Sequence, residues 1–263
     1  MKTMIRNAAF GAIFAAVAAA SGSALAADKI QMQMNWTADT AHLGFAMAQV
    51  KGIYADHDLE VELVEGRGSA MLPLIPVFLR ANGIEESQVE IVSAAESAFI
   101  GLLTSGQVDA VSQTPENIVV PLEAQGIEAG NMYFYNNGVP IASLALVARE
   151  DKLAANADVY KRFVEATALG WQEAMKDPEG SVKALLEVFP ETGHSPENLL
   201  KSSKYSFASV CPAGSGDTIG VTSAETWATM YDVMTTAMNL PSTKPVTDYY
   251  SLDYVPAEPV TCP

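Results

Sequence analysis

Apolar and polar positions alternate at Ile30, Met32 and Met34, the period of a half-buried strand, which predicts a strand over 29–35. The pattern turns helical over 41–51 and stops at Gly52. Leu59, Val61 and Leu63 alternate again, a second strand ahead of Gly66-Arg67-Gly68-Ser69. The apolar run 71–81 reads as a helix, with Pro73 and Pro76 tolerated in its first turn. Further strands are predicted at 88–93, 107–112, 131–135 and 142–149, with a helix near Ser97–Thr104. Alternating strand and helix signals point to an α/β fold.

From Asp158 the period becomes helical. Val159, Phe163, Ala166, Gly170, Trp171 and Ala174 share one face, with Asp158 placed to cap it. Asp177-Pro178 and Ser195-Pro196 each pair a capping side chain with proline at the first helical position. Thr222-Ser-Ala-Glu225 reads as a capping box, opening a helix that buries Trp227, Met230, Tyr231, Met234 and Met238. Such stripes are a core face before they are a ligand cage. The tail Pro245–Pro263 reads as extended.

The first residues change the picture. Lys2 and Arg6 precede the uncharged run Ala8–Ala20, and Ala24-Leu25-Ala26 has the small residues of a signal-peptidase site. The run is shorter than the about 20 apolar residues that span a bilayer, so 1–26 is expected to be a cleaved signal peptide and the chain periplasmic. A mature protein starting at Ala27 or Asp28 carries 13 basic and 31 acidic residues, a net charge of −18. That balance excludes the basic patches needed for nucleic acid or anionic lipid. The two cysteines, Cys211 and Cys262, suit an oxidising compartment and are expected to form a disulfide. Three scattered histidines, His42, His57 and His194, with no CxxC or HExxH, give no metal site.

One family combines these features. The run Met34-Asn-Trp36-Thr-Ala-Asp-Thr-Ala-His42-Leu-Gly-Phe-Ala-Met-Ala-Gln49, then Gly52-Ile-Tyr54 and Leu59-Glu-Val-Glu-Leu63, resembles the substrate-binding proteins related to thiamine-pyrimidine synthase, which include sulfonate and nitrate binders. Phe78-Leu-Arg-Ala-Asn-Gly-Ile84, Leu103-Thr-Ser-Gly-Gln-Val-Asp-Ala110 and Leu146-Val-Ala-Arg-Glu-Asp151 resemble later stretches of the same family in the same order. The resemblance implies a type II periplasmic-binding-protein-like α/β fold over 27–256, two lobes with a ligand cleft, followed by a tail at 257–263. It also implies a monomer that delivers a small-molecule ligand to an inner-membrane ABC permease, without a cofactor. In relatives a helix, two strands and a second Gly-Ser-Ala separate the counterparts of Ala70 and Met71. The resemblance therefore implies an internal deletion at 69–71, leaving the first lobe incomplete and 29–70 the part that opens first.

The candidate ligand residues follow the same likeness. His42 matches the family's cleft-facing histidine, whose neutral imidazole donates to or accepts from a heterocycle nitrogen; a capping role is the competing reading. Asn35 and Trp36 supply an amide and a stacking face. Gly68, Ser69 and Ala70 form an anion-binding turn. Gln113, Glu116 and Asn117 follow the 107–112 strand, at the strand end where α/β ligands dock. The expected ligand is a small polar or anionic heterocycle such as a thiamine pyrimidine precursor, or a sulfonate- or nitrate-like solute. The chief alternative is a pyrimidine-synthase-like enzyme, which in relatives uses Lys-x-x-x-His and a cysteine cluster. This chain has no lysine four residues before any histidine and no such cluster, and no Gly-x-Ser-x-Gly for a hydrolase, so no catalytic residue is assigned. A non-functional deletion remnant is the third reading.

Overall fold

The first two alternating segments find each other. In the computed structural model, which describes residues 26–65, 74–139, 145–211, 218–237 and 240–263, they form strands β1 (Asp28–Gln33) and β2 (Leu59–Val64). The pair is parallel, with Ile30 opposite Val61 and Met32 opposite Leu63. Parallel pairing needs a long crossover. Here it is a 3-10 turn (Thr40–His42), α1 (Leu43–Val50) and α2 (Ile53–Asp56). Gly52, at φ 73°, supplies the left-handed residue that turns the chain from α1 into α2.

The other helices are α3 (Ile75–Ala81), α4 (Phe99–Thr104), α5 (Pro115–Glu123), α6 (Glu150–Ala155), α7 (Ala157–Lys176), α8 (Pro178–Val188), α9 (Pro196–Val210) and α10 (Ala224–Asp232). The long α7 lies on α1 because both helices carry small residues at the crossing. A Cβ on Gly170 would sit 2.3 Å from the Gly44 carbonyl oxygen and 2.6 Å from the Ala48 Cβ. A Cβ on Gly44 would meet the Trp171 ring at 2.3 Å. Two cores flank this crossing. Leu59 and Val61 bury against Phe45, Ala48, Tyr54, Phe163 and Ala166, while Met34, Leu43, Met47, Trp171 and Leu185 form the second.

Local helix signals reappear with small shifts. The Asp177 carboxylate accepts from the Gly180 N–H at 2.9 Å, and the Ser195 hydroxyl from the Asn198 N–H at 3.2 Å. For α7 the capping position is Asn156, and Asp158 lies inside the first turn. For α10 the cap is Ser223, whose hydroxyl accepts from the Thr226 N–H at 3.1 Å, in place of Thr222. The expected burial of its stripe is corrected: none of its residues is buried, and Met234, in the π-helical turn that follows, is 46% exposed. Trp227 stacks on Tyr250 at 5.1 Å and Tyr231 tilts against Tyr249, so the stripe meets its own downstream segment instead of a core. Met238 lies outside the described residues.

The larger correction concerns the sheet. Among the described residues the ladder has two strands, and the fold is mixed α/β but mostly helical. Residues 88–93, 107–112, 131–134 and 145–149 form no strand, and Tyr135 begins a 3-10 turn; residues 142–144 of the last predicted strand lie outside the described residues. Val147, predicted to pack in a strand, is 89% exposed. Alternation reports suitability for a half-buried pleated surface, and a ladder forms only where a neighbouring strand is in place. These four segments instead line an open space of about 3380 Å³ bounded on one side by the whole of β1.

The C-terminal segment is tied down. Cys211, the C-cap of α9, is bonded to Cys262, with 6.1 Å between the Cα atoms and a sequence separation of 51. A bridge of that span is worth about 4 kcal/mol in the chain-entropy account. The Ile219 N–H donates to the Val260 carbonyl at 2.8 Å, and the Gln172 amide donates to the Thr261 carbonyl at 2.8 Å, so 260–262 packs beside α7 and α9.

Candidate functional site

The loop leaving β1 is built by its own polar side chains. The Asp39 carboxylate accepts from the Ala41 N–H at 2.9 Å, capping the Thr40–His42 turn. The Asp39 N–H in turn donates to His42 Nδ1 at 3.2 Å. Nδ1 also lies 3.1 Å from the Asp39 carboxylate, so two contacts compete for one nitrogen. The backbone N–H is a fixed donor in a buried place and must meet an acceptor, so Nδ1 is the unprotonated nitrogen. Nε2–H then donates to Asn35 Oδ1 at 3.1 Å. His42 is 1% exposed with both ring nitrogens engaged inside the protein, and Asn35 is its partner.

The second wall comes from the segment leading into α5. Thr114 is its N-cap and Pro115 fills the first helical position. The Gln113 side-chain oxygen accepts from the Thr114 N–H at 2.8 Å, and the Asn117 amide donates to the Thr114 hydroxyl at 3.1 Å. This leaves the Gln113 amide N–H groups and the Asn117 oxygen available. Glu116 points to the other side of this segment, onto the large open space, with Asn35 and His42. Burial pushes its carboxyl above the ordinary range, and the Asp39 carboxylate adds to the rise; its own backbone N–H and the Thr114 hydroxyl work against it.

Between these walls lies a cavity of about 300 Å³, at the small end of ligand sites, which run from about 300 to 1,000 Å³. The β1 loop contributes Trp36 and Thr37, and the α5 segment Gln113, Asn117 and Ile118. Glu96 and Phe99, at the start of α4, close one side, and Thr192 and His194, from the α8–α9 connection, close another. The structure thus brings three of the residues singled out from sequence, Trp36, Gln113 and Asn117, to one cavity. It places Asn35, His42 and Glu116 behind it, on the larger space, which Gln113 also borders. Gly68, Ser69 and Ala70 lie outside the described residues.

Six lining residues are not singled out by the sequence: Thr37, Glu96, Phe99, Ile118, Thr192 and His194. In sequence His194 is one of three scattered histidines, and nothing local marks the α8–α9 connection as part of a cavity. Its backbone N–H donates to the Thr192 hydroxyl at 3.0 Å, which holds the turn, while the imidazole makes no hydrogen bond among the described residues. Among the described residues no group of three or more His, Cys, Asp or Glu could hold a metal, and no helix is long and apolar enough to cross a membrane.

Residues 69–181 match the family described as NMT1/THI5 like. The match spans less than half of the chain. The NMT1/THI5-like family includes substrate-binding proteins of ABC transporters and proteins of thiamine synthesis, and it is consistent with a periplasmic-binding-protein-like fold. The matched span contains Glu96, Phe99, Gln113 and Asn117 of the cavity, and α7 up to the start of α8. Trp36 and His194 lie outside it. No curated protein matches the chain.

Proposed function

We propose that the chain is an extracytoplasmic solute-binding protein of an ABC importer, taking a small polar heterocycle into the Trp36–Asn117 cavity. The observation that carries this reading is the convergence of an indole face and two amides on a ligand-sized cavity, inside a chain matched to a family that includes substrate-binding proteins. In this reading Trp36 stacks on the solute while Gln113 and Asn117 hydrogen-bond its edge. Asn35 and His42 act one step back, fixing the loop that carries Trp36. The signal-peptide pattern of 1–26 and the acidic mature chain support the periplasmic location and the role beside a permease.

A thermal-shift screen of the mature protein against pyrimidines, sulfonates, nitrate and aromatic acids tests the reading. A ligand should emerge whose affinity falls about 5- to 150-fold in Trp36→Ala, the effect of losing a contact worth about 1–3 kcal/mol. Binding that Trp36→Ala leaves unchanged puts the cleft elsewhere.

A second reading has its own support. The family match begins at residue 69, where the family resemblance implies the junction of a deletion, and β1 borders open space instead of a third strand among the described residues. On that reading the chain is a remnant that keeps part of the family fold and binds weakly or not at all. Failure of every solute in the screen, with the protein folded by circular dichroism, selects it.

A further inference from the structure

The cavity has a charge character that bears on its ligand. Among its described lining residues there is no lysine and no arginine, while Glu96 contributes a carboxylate that makes no ion pair or hydrogen bond among the described residues. Two aromatic side chains, Trp36 and Phe99, line the same space, and Glu96 and Phe99 also border the larger open one. Behind the Gln113–Asn117 wall stand two further carboxyl groups, Asp39 and Glu116, close enough for Asp39 to raise the Glu116 carboxyl. An anion entering here would meet one unpaired carboxylate, two aromatic side chains and, among the described lining residues, no lysine or arginine. A cation would gain from all three, because rings attract a cation over their faces and a carboxylate in a partly enclosed site is weakly screened. The strongly acidic chain supplies a long-range field of the same sign.

We propose that this cavity selects a single-ring aromatic cation over an anion of the same shape, with Glu96 as its counter-charge and Trp36 and Phe99 as its π surfaces. The inference rests on the solute-binding reading of the cavity and narrows it: sulfonate, nitrate and carboxylate ligands are excluded. His194, from the α8–α9 connection, lines the same space and offers its ring nitrogens as hydrogen-bond partners to an exocyclic amine or hydroxyl. Gln113 and Asn117 hold the edge of the ring.

Calorimetry of the mature protein with benzylammonium, benzyl alcohol and benzenesulfonate, near-isosteres of charge +1, 0 and −1, tests it. Benzylammonium should bind about tenfold or more tighter than benzenesulfonate, the ratio expected of one cation–π contact joined to one ion pair. Its affinity should fall with added sodium chloride, while that of benzyl alcohol should not. Glu96→Gln should cut the preference for benzylammonium over benzenesulfonate severalfold, leaving the share that the rings supply. Glu96 is half-buried at a helix start, so the fold should survive; circular dichroism verifies this, and the wild-type salt dependence tests the proposal independently of the variant. Equal or tighter binding of benzenesulfonate, or a preference undiminished in Glu96→Gln, overturns the charge selection. If that happens while the wider screen yields a ligand weakened by Trp36→Ala, the solute-binding reading stands alone. If no solute of either set binds, both fall together.

Discussion

Gly170 and His42 mark how far a single residue can be read. Gly170 falls on the predicted apolar face of its helix, and its size matters because Gly44 and Ala48 of another helix come to meet it. Gly170→Ala forces a methyl into a carbonyl oxygen, and overpacking of this kind costs about 1–3 kcal/mol. Chemical denaturation should show that loss with an unchanged m-value. Ala at Gly193, where a side-chain carbon would have nothing within 4 Å but φ is +77°, should lose only the backbone cost. His42 stands out by its place in the family pattern, yet its partners, Asp39 and Asn35, appear only once the loop is folded. Glu116 offers a titration test. Its carboxyl is raised in the folded chain above its ordinary value of 4.5, so the protonated form suits the fold. Stability from this group is full below about 4.5 and drains away as pH rises from there to the folded value. Glu116→Gln should therefore be more stable than the parent near neutral pH, and the difference should vanish in melts taken below about pH 4.5. A constant difference across pH would assign it to packing instead.

Elements divide by whether their signal is local. Helix starts at Asp177 and Ser195 are written in two adjacent residues, so sequence and structure agree on them. The β1–β2 pair is legible because both strands alternate strongly and the segment between them has a clear helical period ending at Gly52. The strands expected at 88–93, 107–112, 131–135 and 142–149 are not, because alternation cannot say whether a neighbour exists. The unmarked side of the cavity has the same origin, since the α8–α9 connection reaches it through tertiary packing. Elements are also joined by side chains that no pattern reveals. Arg162, on α7, donates to the His57 carbonyl at 2.5 Å and the Asp58 carbonyl at 3.2 Å and pairs with the Asp28 carboxylate, clamping both strand starts to the helix. Arg162→Ala should cost about 1–3 kcal/mol by leaving the His57 carbonyl without its donor and the Asp28 carboxylate without its partner, while the Asp58 carbonyl keeps the Asp28 N–H. Amide exchange at 28–33 should quicken most. Arg162→Lys should recover little of the loss, because one ammonium cannot reproduce the planar fork.

For the molecule as a whole, the deletion pattern leads to the expectation that 29–70 opens first, and the packing argues the opposite. Residues 28–64 are stitched into the core by α7, whereas 88–94 and 145–149 carry exposed apolar side chains and no ladder. Regions with few buried contacts open at the lowest free energy. Limited proteolysis followed by mass spectrometry should accordingly cut first within 88–94 or 145–149 and leave 28–64 intact. Early cleavage inside β1 or β2 would contradict the packing described above. The Gly44–Gly170 crossing carries a further consequence, for the order of events in folding. The two helices of the central contact stand more than a hundred residues apart, so the loop between them must close before the core yields any return. A nascent chain that has not yet produced α7 lacks the surface that buries α1 and the β1–β2 pair, so that part of the molecule waits for residues 157–176 to emerge.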